Sequence, residues 1–209
     1  MITLYSGTPG SGKSMHATMS IDAALRRKCP VICNYELFYE KNKMADNFHF
    51  YDNDCITPDF LMQFAASYWQ THHFKEEGIL LVLDECQLLF NSREWDRKGR
   101  KDWLTFFSQH RKYGYSVLLI AQFDRMLDRQ IRSLVEYNVI HRKVKNFGIK
   151  GKIYNALLGG SLYVAVKIFY PINQPVGSHL IRAKKWVFKL YDSHGTFRDF
   201  GTSSPLVAG

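Results

Sequence analysis

Gly7-Thr8-Pro9-Gly10-Ser11-Gly12-Lys13-Ser14 fills every fixed position of the pattern G-x-x-x-x-G-K-[ST], and it follows the short apolar run Met1-Ile2-Thr3-Leu4-Tyr5. Glycines at these positions let the backbone curl without Cβ clashes, so that successive N–H groups point at a β-phosphate. Lys13 is placed to reach the β- and γ-phosphates, and the Ser14 hydroxyl to ligate Mg²⁺. From Lys13 to Arg27 there is no Gly or Pro, and Met15, Met19, Ala23 and Leu25 fall at helical spacing. Strand, loop and helix N-terminus in that order predict a phosphate site, with residues 7 to 14 cradling ATP.

Outward from this loop, composition bounds the rest. With 209 residues, 46% of them hydrophobic, the chain is large enough for one domain with a substantial core. Residue 2 already belongs to the first strand, so the start does not read as a secretion signal. Cys29, Cys33, Cys55 and Cys86 lack a C-x-x-C pair and read as reduced packing residues. His72 and His73 are adjacent in a helical stretch, which does not suit a zinc site with those cysteines.

Charge is unevenly divided. Residues 1–136 carry 17 Lys/Arg against 17 Asp/Glu, whereas residues 137–191 carry 10 basic residues and no acid. Such a one-signed segment attracts polyanions, either nucleic acid or an anionic membrane leaflet. The candidate contacts are Arg142, Lys143, Lys145, Lys150 and Lys152.

The pass along the chain predicts a second buried strand beside the first at Pro30 to Tyr35, and a polar loop from Tyr39 to Asp54. Thr57-Pro58-Asp59 reads as N-cap, first helical position and acidic first turn of a helix whose apolar face is Phe60, Phe64 and Tyr68. Ile79-Leu80-Leu81-Val82-Leu83 has no alternation, which a strand buried on both faces requires, and it ends in Asp84-Glu85. Behind the phosphate loop this predicts Asp84 as the second Mg²⁺ holder and Glu85 as the group that orients or deprotonates the attacking water.

A charged loop is expected from Asn91 to Asp102. A helix bearing Trp103, Phe106, Phe107 and His110 should follow, closing at Gly114. Val117 to Ala121 is again continuously apolar and leads to Gln122, which would stand at the carboxyl edge of the sheet as a sensor of the phosphate or the water. Met126 to Val135 reads as a helix with Arg125, Arg129 and Arg132 in one row, which would touch the phosphates of a neighbouring subunit's nucleotide, or DNA, or lie in solvent. Arg111 is another candidate for an arginine acting on a neighbouring subunit's γ-phosphate.

Beyond Tyr137 the texture is β-rich at Leu162 to Tyr170 and Lys185 to Tyr191. Ile153 to Ile172 is apolar, but Asn155, Gly159-Gly160, Ser161 and Lys167 argue against a membrane span. The expected organisation is a P-loop core at 1–136, a basic β-rich part of the same domain at 137–200, and a flexible tail at 201–209. The expected fold is α/β and RecA-like, a mostly parallel sheet flanked by helices with a C-terminal β-rich extension. Enzymes of the adenylate-kinase type also begin G-x-P-G-S-G-K-S, but they use an arginine-rich lid rather than a strand ending in Asp-Glu.

Several stretches together resemble the zonular occludens toxin (Zot) domain, a family that includes the gene I assembly proteins of filamentous phages. They are I-T-L-Y-S-G-T-P-G-S-G-K-S at 2–14, the strand ending in Asn34, L-V-L-D-E-C-Q at 81–87, S-Q-H-R-K-Y-G-Y-S-V-L-L-I-A-Q at 108–122, I-R-S-L-V-E at 131–136 and K-L-Y-D-S at 189–193. The resemblance implies a ring-forming ATPase on the cytoplasmic side of the host inner membrane that drives extrusion of single-stranded phage DNA. Kinship with FtsK/HerA-like motors is implied too. On matching positions Gly7 to Ser14 bind ATP, Asp84 and Glu85 serve Mg²⁺ and hydrolysis, Gln122 senses phosphate and Arg111 acts in trans. Implied partners are further copies of the chain, single-stranded DNA or its coat complex, inner-membrane assembly proteins and anionic lipid. Such proteins usually carry a transmembrane helix after the ATPase domain. None is expected here, which suggests either a domain of a longer chain or docking on a separate membrane partner. Two other readings are a DNA-translocating ATPase of packaging or conjugation, and a toxin or interaction module in which nucleotide is structural.

Overall fold

The computed structural model describes residues 1–38, 45–90, 99–149, 153 and 162–190. In chain order the elements are β1 (Ile2–Ser6), α1 (Lys13–Arg26), β2 (Val31–Cys33), β3 (Phe48–Phe50), α2 (Pro58–Thr71), β4 (Ile79–Leu83), α3 (Arg100–Gln109) and β5 (Tyr115–Ile120). Then follow α4 (Arg129–Ser133), β6 (Tyr137–Lys143), β7 (Leu162–Phe169), β8 (Gln174–Arg182) and α5 (Lys185–Leu190).

One sheet in the order β3-β2-β4-β5-β1-β6-β7-β8 holds them. From β3 to β6 all neighbours are parallel; β6-β7 and β7-β8 are antiparallel. Val117 of β5 aligns with Ile2 on one side and Leu81 on the other, so the ends of β1, β4 and β5 lie level. The unbroken apolar runs of β4 and β5 are explained by this central position, since helices cover both faces there. Ile2, Leu4, Leu81, Val117 and Leu119 pack toward Leu61, Phe106, Phe107 and Ile131 of α2, α3 and α4. On the other face, Val82, Leu118, Ile120 and Val139 pack with Met15 and Ile21 of α1 and Val187 of α5.

The amino-terminal edge of the sheet is wedged by Trp69. Its indole N–H donates to Tyr113 O at 2.9 Å. A Cβ on Gly78 or on Gly114, the residues just before β4 and β5, would come within 2.7 and 2.6 Å of that ring. Gly114 also has φ 78°, a conformation that strains any other L-residue.

Several expectations are corrected. The second strand is only Val31–Cys33 and lies not beside β1 but beyond β4 and β5, bonded to β3 and β4. Within the stretch read as loop, residues 45–47 form a 3₁₀ turn and Phe48–Phe50 an edge strand on β2. Thr57 does cap α2, accepting from the Phe60 N–H at 3.2 Å. The residues α2 buries are Pro58, Leu61 and Ala65, while Phe60, Phe64 and Tyr68 pack partly buried against the same core, Phe60 and Phe64 edge-on to Tyr51 and His49. The α3 helix ends at Gln109, and His110 to Tyr113 turn before Gly114.

Near residue 130 the helix is short. Asp128 accepts from the Gln130 and Ile131 N–H groups at 2.8 and 3.4 Å and so starts a new helix at Arg129. Arg125 therefore belongs to a separate 3₁₀ turn at 124–126, and the three arginines share no helical row. At the C-terminal side Lys185 to Leu190 is a helix rather than a strand, because Val187 is drawn into the core against α1. The strand next to β7 is Gln174–Arg182, which the sequence reading did not contain; a shift of register between Lys167 and Ile168 accommodates its Pro175. Among the described residues no helix is long and apolar enough to cross a membrane.

Candidate nucleotide site

Residues 7–12 bridge the end of β1 to the start of α1 with glycines in the left-handed region, Gly12 at φ 92° as the N-cap of α1 and Gly7 at φ 143°. Space demands glycine as well: a Cβ on Gly12 would stand 2.9 Å from the Tyr163 ring, and one on Gly7 2.5 Å from His141 O. The loop is held from inside, since the Lys13 ammonium donates to Gly7 O at 2.7 Å and Thr8 O at 3.3 Å. Burial lowers the pKa of Lys13 from its ordinary value, against the pull of Glu85 and Asp84. Ser11 is buried, and its hydroxyl has no protein partner among the described residues.

Level with the loop, at the end of β4, Asp84 accepts from the Ser14 hydroxyl at 3.1 Å and from the Glu85 N–H at 2.8 Å. Burial raises the Asp84 carboxyl above its usual range, and those two hydrogen bonds oppose the rise. Two ligands at about 2.1 Å in adjacent octahedral positions stand about 3.0 Å apart, so the Ser14 and Asp84 oxygens have the spacing and hardness that Mg²⁺ takes. Among the described residues no group of three His, Cys, Asp or Glu is arranged to hold a metal. A Mg²⁺ that completes its shell with phosphates and water needs no such group.

Glu85 follows just past the end of β4 in the left-handed region, with φ 46°. Its Oε2 accepts a hydrogen bond from the buried Gln87 amide. Asn34, just past β2, clips the same corner: its amide oxygen accepts from the Asp84 N–H at 2.6 Å, and its NH₂ donates to Asp84 O at 2.9 Å and to Asn53 Oδ1 at 2.8 Å. Neither Gln87 nor Asn34 stood among the candidate site residues. The signal available was a polar residue at the carboxyl end of a short apolar run.

Gln122 lies two residues beyond β5. Its carbonyl accepts the Gly7 N–H at 3.1 Å, and the residue helps wall a hollow of about 340 Å³ with Gly7, Thr8 and Asn138. Asp84 and Glu85 do not line that hollow. Arg111 stands elsewhere. It precedes β5, bonded to Glu136 at 2.8 Å and near Glu76 at 3.7 Å, both just ahead of β6 and β4. That is the amino-terminal edge, a strand length of about 20 Å from the loop. Its ion pairs account for its place. Arg142 and Lys145 are exposed and Lys143 half-buried at the end of β6; Lys150 and Lys152 lie outside the described residues.

Beneath the loop lies a histidine cluster absent from the sequence reading. His16 of α1 stacks on Tyr5 with centroids 4.6 Å apart, lies edge-on to His179 of β8, and its Nδ1 is 2.8 Å from His141 Nε2. His141 Nδ1 is 3.3 Å from Ser6 O, a pure acceptor, so His141 donates there and His16 Nδ1–H donates to His141 Nε2. Burial above all, then mutual repulsion with His141 and His179, presses His16 to about 3; burial, with Lys13 and His179 adding, presses His141 to about 4.

The chain is similar to several known proteins. The Gene 1 protein of Enterobacteria phage I2-2 is 32% identical over 61% of this chain and 36% of its own length. That of Escherichia phage If1 is 29% identical over 77% of the chain and 47% of its own length. That of Enterobacteria phage f1 is 24% identical over 97% of the chain and 61% of its own length. The chain thus spans between about a third and three fifths of these curated relatives. In fold it resembles the N-terminal domain of zonular occludens toxin from Neisseria meningitidis, with TM-score 0.58, 19% identity, and 91% and 98% of the two chains covered. It also resembles the genome packaging NTPase B204 from Sulfolobus turreted icosahedral virus 2 solved with ATP-gammaS, with TM-score 0.54, 12% identity, and 88% and 97% covered. These likenesses establish the RecA-like P-loop NTPase fold expected above. Residues 1–198 match the family described as Zonular occludens toxin (Zot), and the chain belongs to that family.

Proposed function

We propose that this chain is the ATP-hydrolysing part of a motor for filamentous phage assembly, acting with Mg²⁺ on the cytoplasmic side of the host inner membrane to extrude single-stranded DNA virions. The observation that carries the reading is the Ser14–Asp84 hydrogen bond with Glu85 immediately next to it, joining α1 to the end of β4 with β5 between the two strands. In this reading the amides of residues 7–14 hold the phosphates, and Lys13 transfers its donors from the Gly7 and Thr8 carbonyls to β- and γ-oxygens. Ser14 and Asp84 would hold Mg²⁺, which would supply positive charge to offset that of the phosphates. Glu85 accepts the proton of the attacking water, and Gln122 at the neighbouring strand end orients it. Further copies of the chain form a ring, and inner-membrane assembly proteins receive it. The basic surface at Arg142, Lys143 and Lys145, with Lys150 and Lys152, meets single-stranded DNA or anionic lipid.

The test is ATP hydrolysis with and without single-stranded DNA while oligomeric mass is recorded, for the wild type, Lys13→Ala and Glu85→Gln. Glu85→Gln is expected to bind nucleotide and to hydrolyse it about 10²- to 10⁴-fold more slowly. Hydrolysis by that variant at the wild-type rate rejects the motor and leaves an interaction module with structural nucleotide. A rate that depends on DNA length or free ends favours a translocating ATPase of packaging or conjugation instead.

A further inference from the structure

The hollow beside Gln122 does not end there. Asp124, Tyr170 and Asn173 are shared with a second, open hollow of about 610 Å³ walled by Arg125 and Arg132, so that one groove runs from Gly7 and Thr8 across the sheet face to α4. Three arginines flank it: Arg125, Arg132 and, on β6, Arg142. None of them has an ion pair among the described residues. Asp124 is the one acid lining either hollow among those residues, and its carboxylate accepts the Tyr170 hydroxyl at 2.7 Å. On the rim Phe123 is 53% exposed.

Cationic side chains along a groove, with aromatic faces open beside them, are what an unpaired nucleic-acid strand requires: guanidinium groups meet phosphates, and a ring accepts a stacked base. A duplex keeps its bases stacked on one another and leaves an exposed phenyl ring unused. We propose that single-stranded nucleic acid lies in this groove, its phosphates on Arg125, Arg132 and Arg142 and a base on Phe123. The inference rests on the nucleic-acid part of the proposed function, and it adds to Arg142 of the basic segment two arginines from outside it, Arg125 in the turn that follows β5 and Arg132 of α4. It also supplies a connection. Phe123 is the next residue after Gln122, whose carbonyl holds the Gly7 N–H, so the phosphate loop and the strand-gripping turn are bonded through one peptide.

The experiment is fluorescence anisotropy of a short labelled oligothymidylate on the whole chain across a salt series, with binding of a fluorescent ATP analogue as the check that each variant is folded. Arg125→Gln/Arg132→Gln is expected to weaken oligothymidylate binding about tenfold or more. The slope of log affinity against log salt should fall by roughly 0.7 per arginine. Phe123→Ala is expected to cost about tenfold with little change of slope. Unchanged affinity and slope in variants that still bind the ATP analogue overturn the groove, all the more if Lys143→Gln/Lys145→Gln loses binding instead. Variants that keep oligothymidylate but lose oligomeric mass show a contact between copies of the chain, which overturns it as well. If the wild type hydrolyses ATP and binds no oligothymidylate at low salt, the nucleic-acid part of the proposed function falls with the groove. If hydrolysis fails while the arginine dependence holds, only the motor falls.

Discussion

The Ser14 hydroxyl donates to Asp84 Oδ2 across 3.1 Å, tying the first turn of α1 to the end of a strand 70 residues away. Burial raises the Asp84 carboxyl, and the Glu85 N–H and Ser14 hydroxyl oppose the rise. Asp84→Asn keeps the shape and an acceptor oxygen but removes the charge. It is expected to raise the Mg²⁺ concentration for half-maximal hydrolysis about tenfold or more. A Mg²⁺ titration of the ATPase rate reads this directly, and an unshifted midpoint takes Asp84 out of the ion site.

Gln87 is buried, donates to Glu85 and leaves its own amide oxygen unpartnered among the described residues. Replacing it with an apolar side chain of similar size removes a buried polar group that is only half satisfied, and at the same time frees Glu85. Gln87→Met is therefore expected to leave the urea midpoint unchanged or higher while kcat falls about tenfold. A parallel loss of stability and rate contradicts the tethering role.

The His16–His141 pair gives the fold an acid limit. Both rings stay neutral in the folded chain, with values near 3 and 4, while in the unfolded chain they take protons near 6.5. Between about pH 6.5 and 4 the unfolded state thus binds more protons, and stability drops as pH falls through that window. The slope reaches at most about 1.4 kcal/mol per pH unit for each histidine. Urea midpoints measured at pH 7 and at pH 5 should show the loss, and His141→Asn should flatten it. An equal slope in that variant assigns the pH dependence to other groups.

The parts of this fold that are written locally are those whose burial is uniform along an element. Ile79–Leu83 and the run through Leu118 to Ala121 are apolar throughout because they lie between two helical layers, and Gly7 and Gly12 are needed both by their conformation and by a steric contact. Gln174–Arg182 carries no such mark. Pro175, Gly177 and a run of exposed side chains lack periodicity, and only the hydrogen bonds from β7 make it a strand. Trp186-Val187 favours β locally, and packing against α1 overrides it. The site divides the same way. Ser14, Asp84 and Glu85 follow from position at strand and helix ends. Asn34 reaches Asp84 over 50 residues and His16 reaches His141 over 125, and no pattern along the chain records a contact of that kind.

Trp69 turns the far edge of the sheet into a natural optical probe. Its indole rests on the two glycines just before β4 and β5, the strands that lead to Asp84 and Gln122. A slide of one strand against the other would change the surroundings of that ring, since both glycines touch it. With Trp95, Trp103 and Trp186 replaced by Phe, the emission of Trp69 alone is expected to report strand motion, with no label placed near the phosphates.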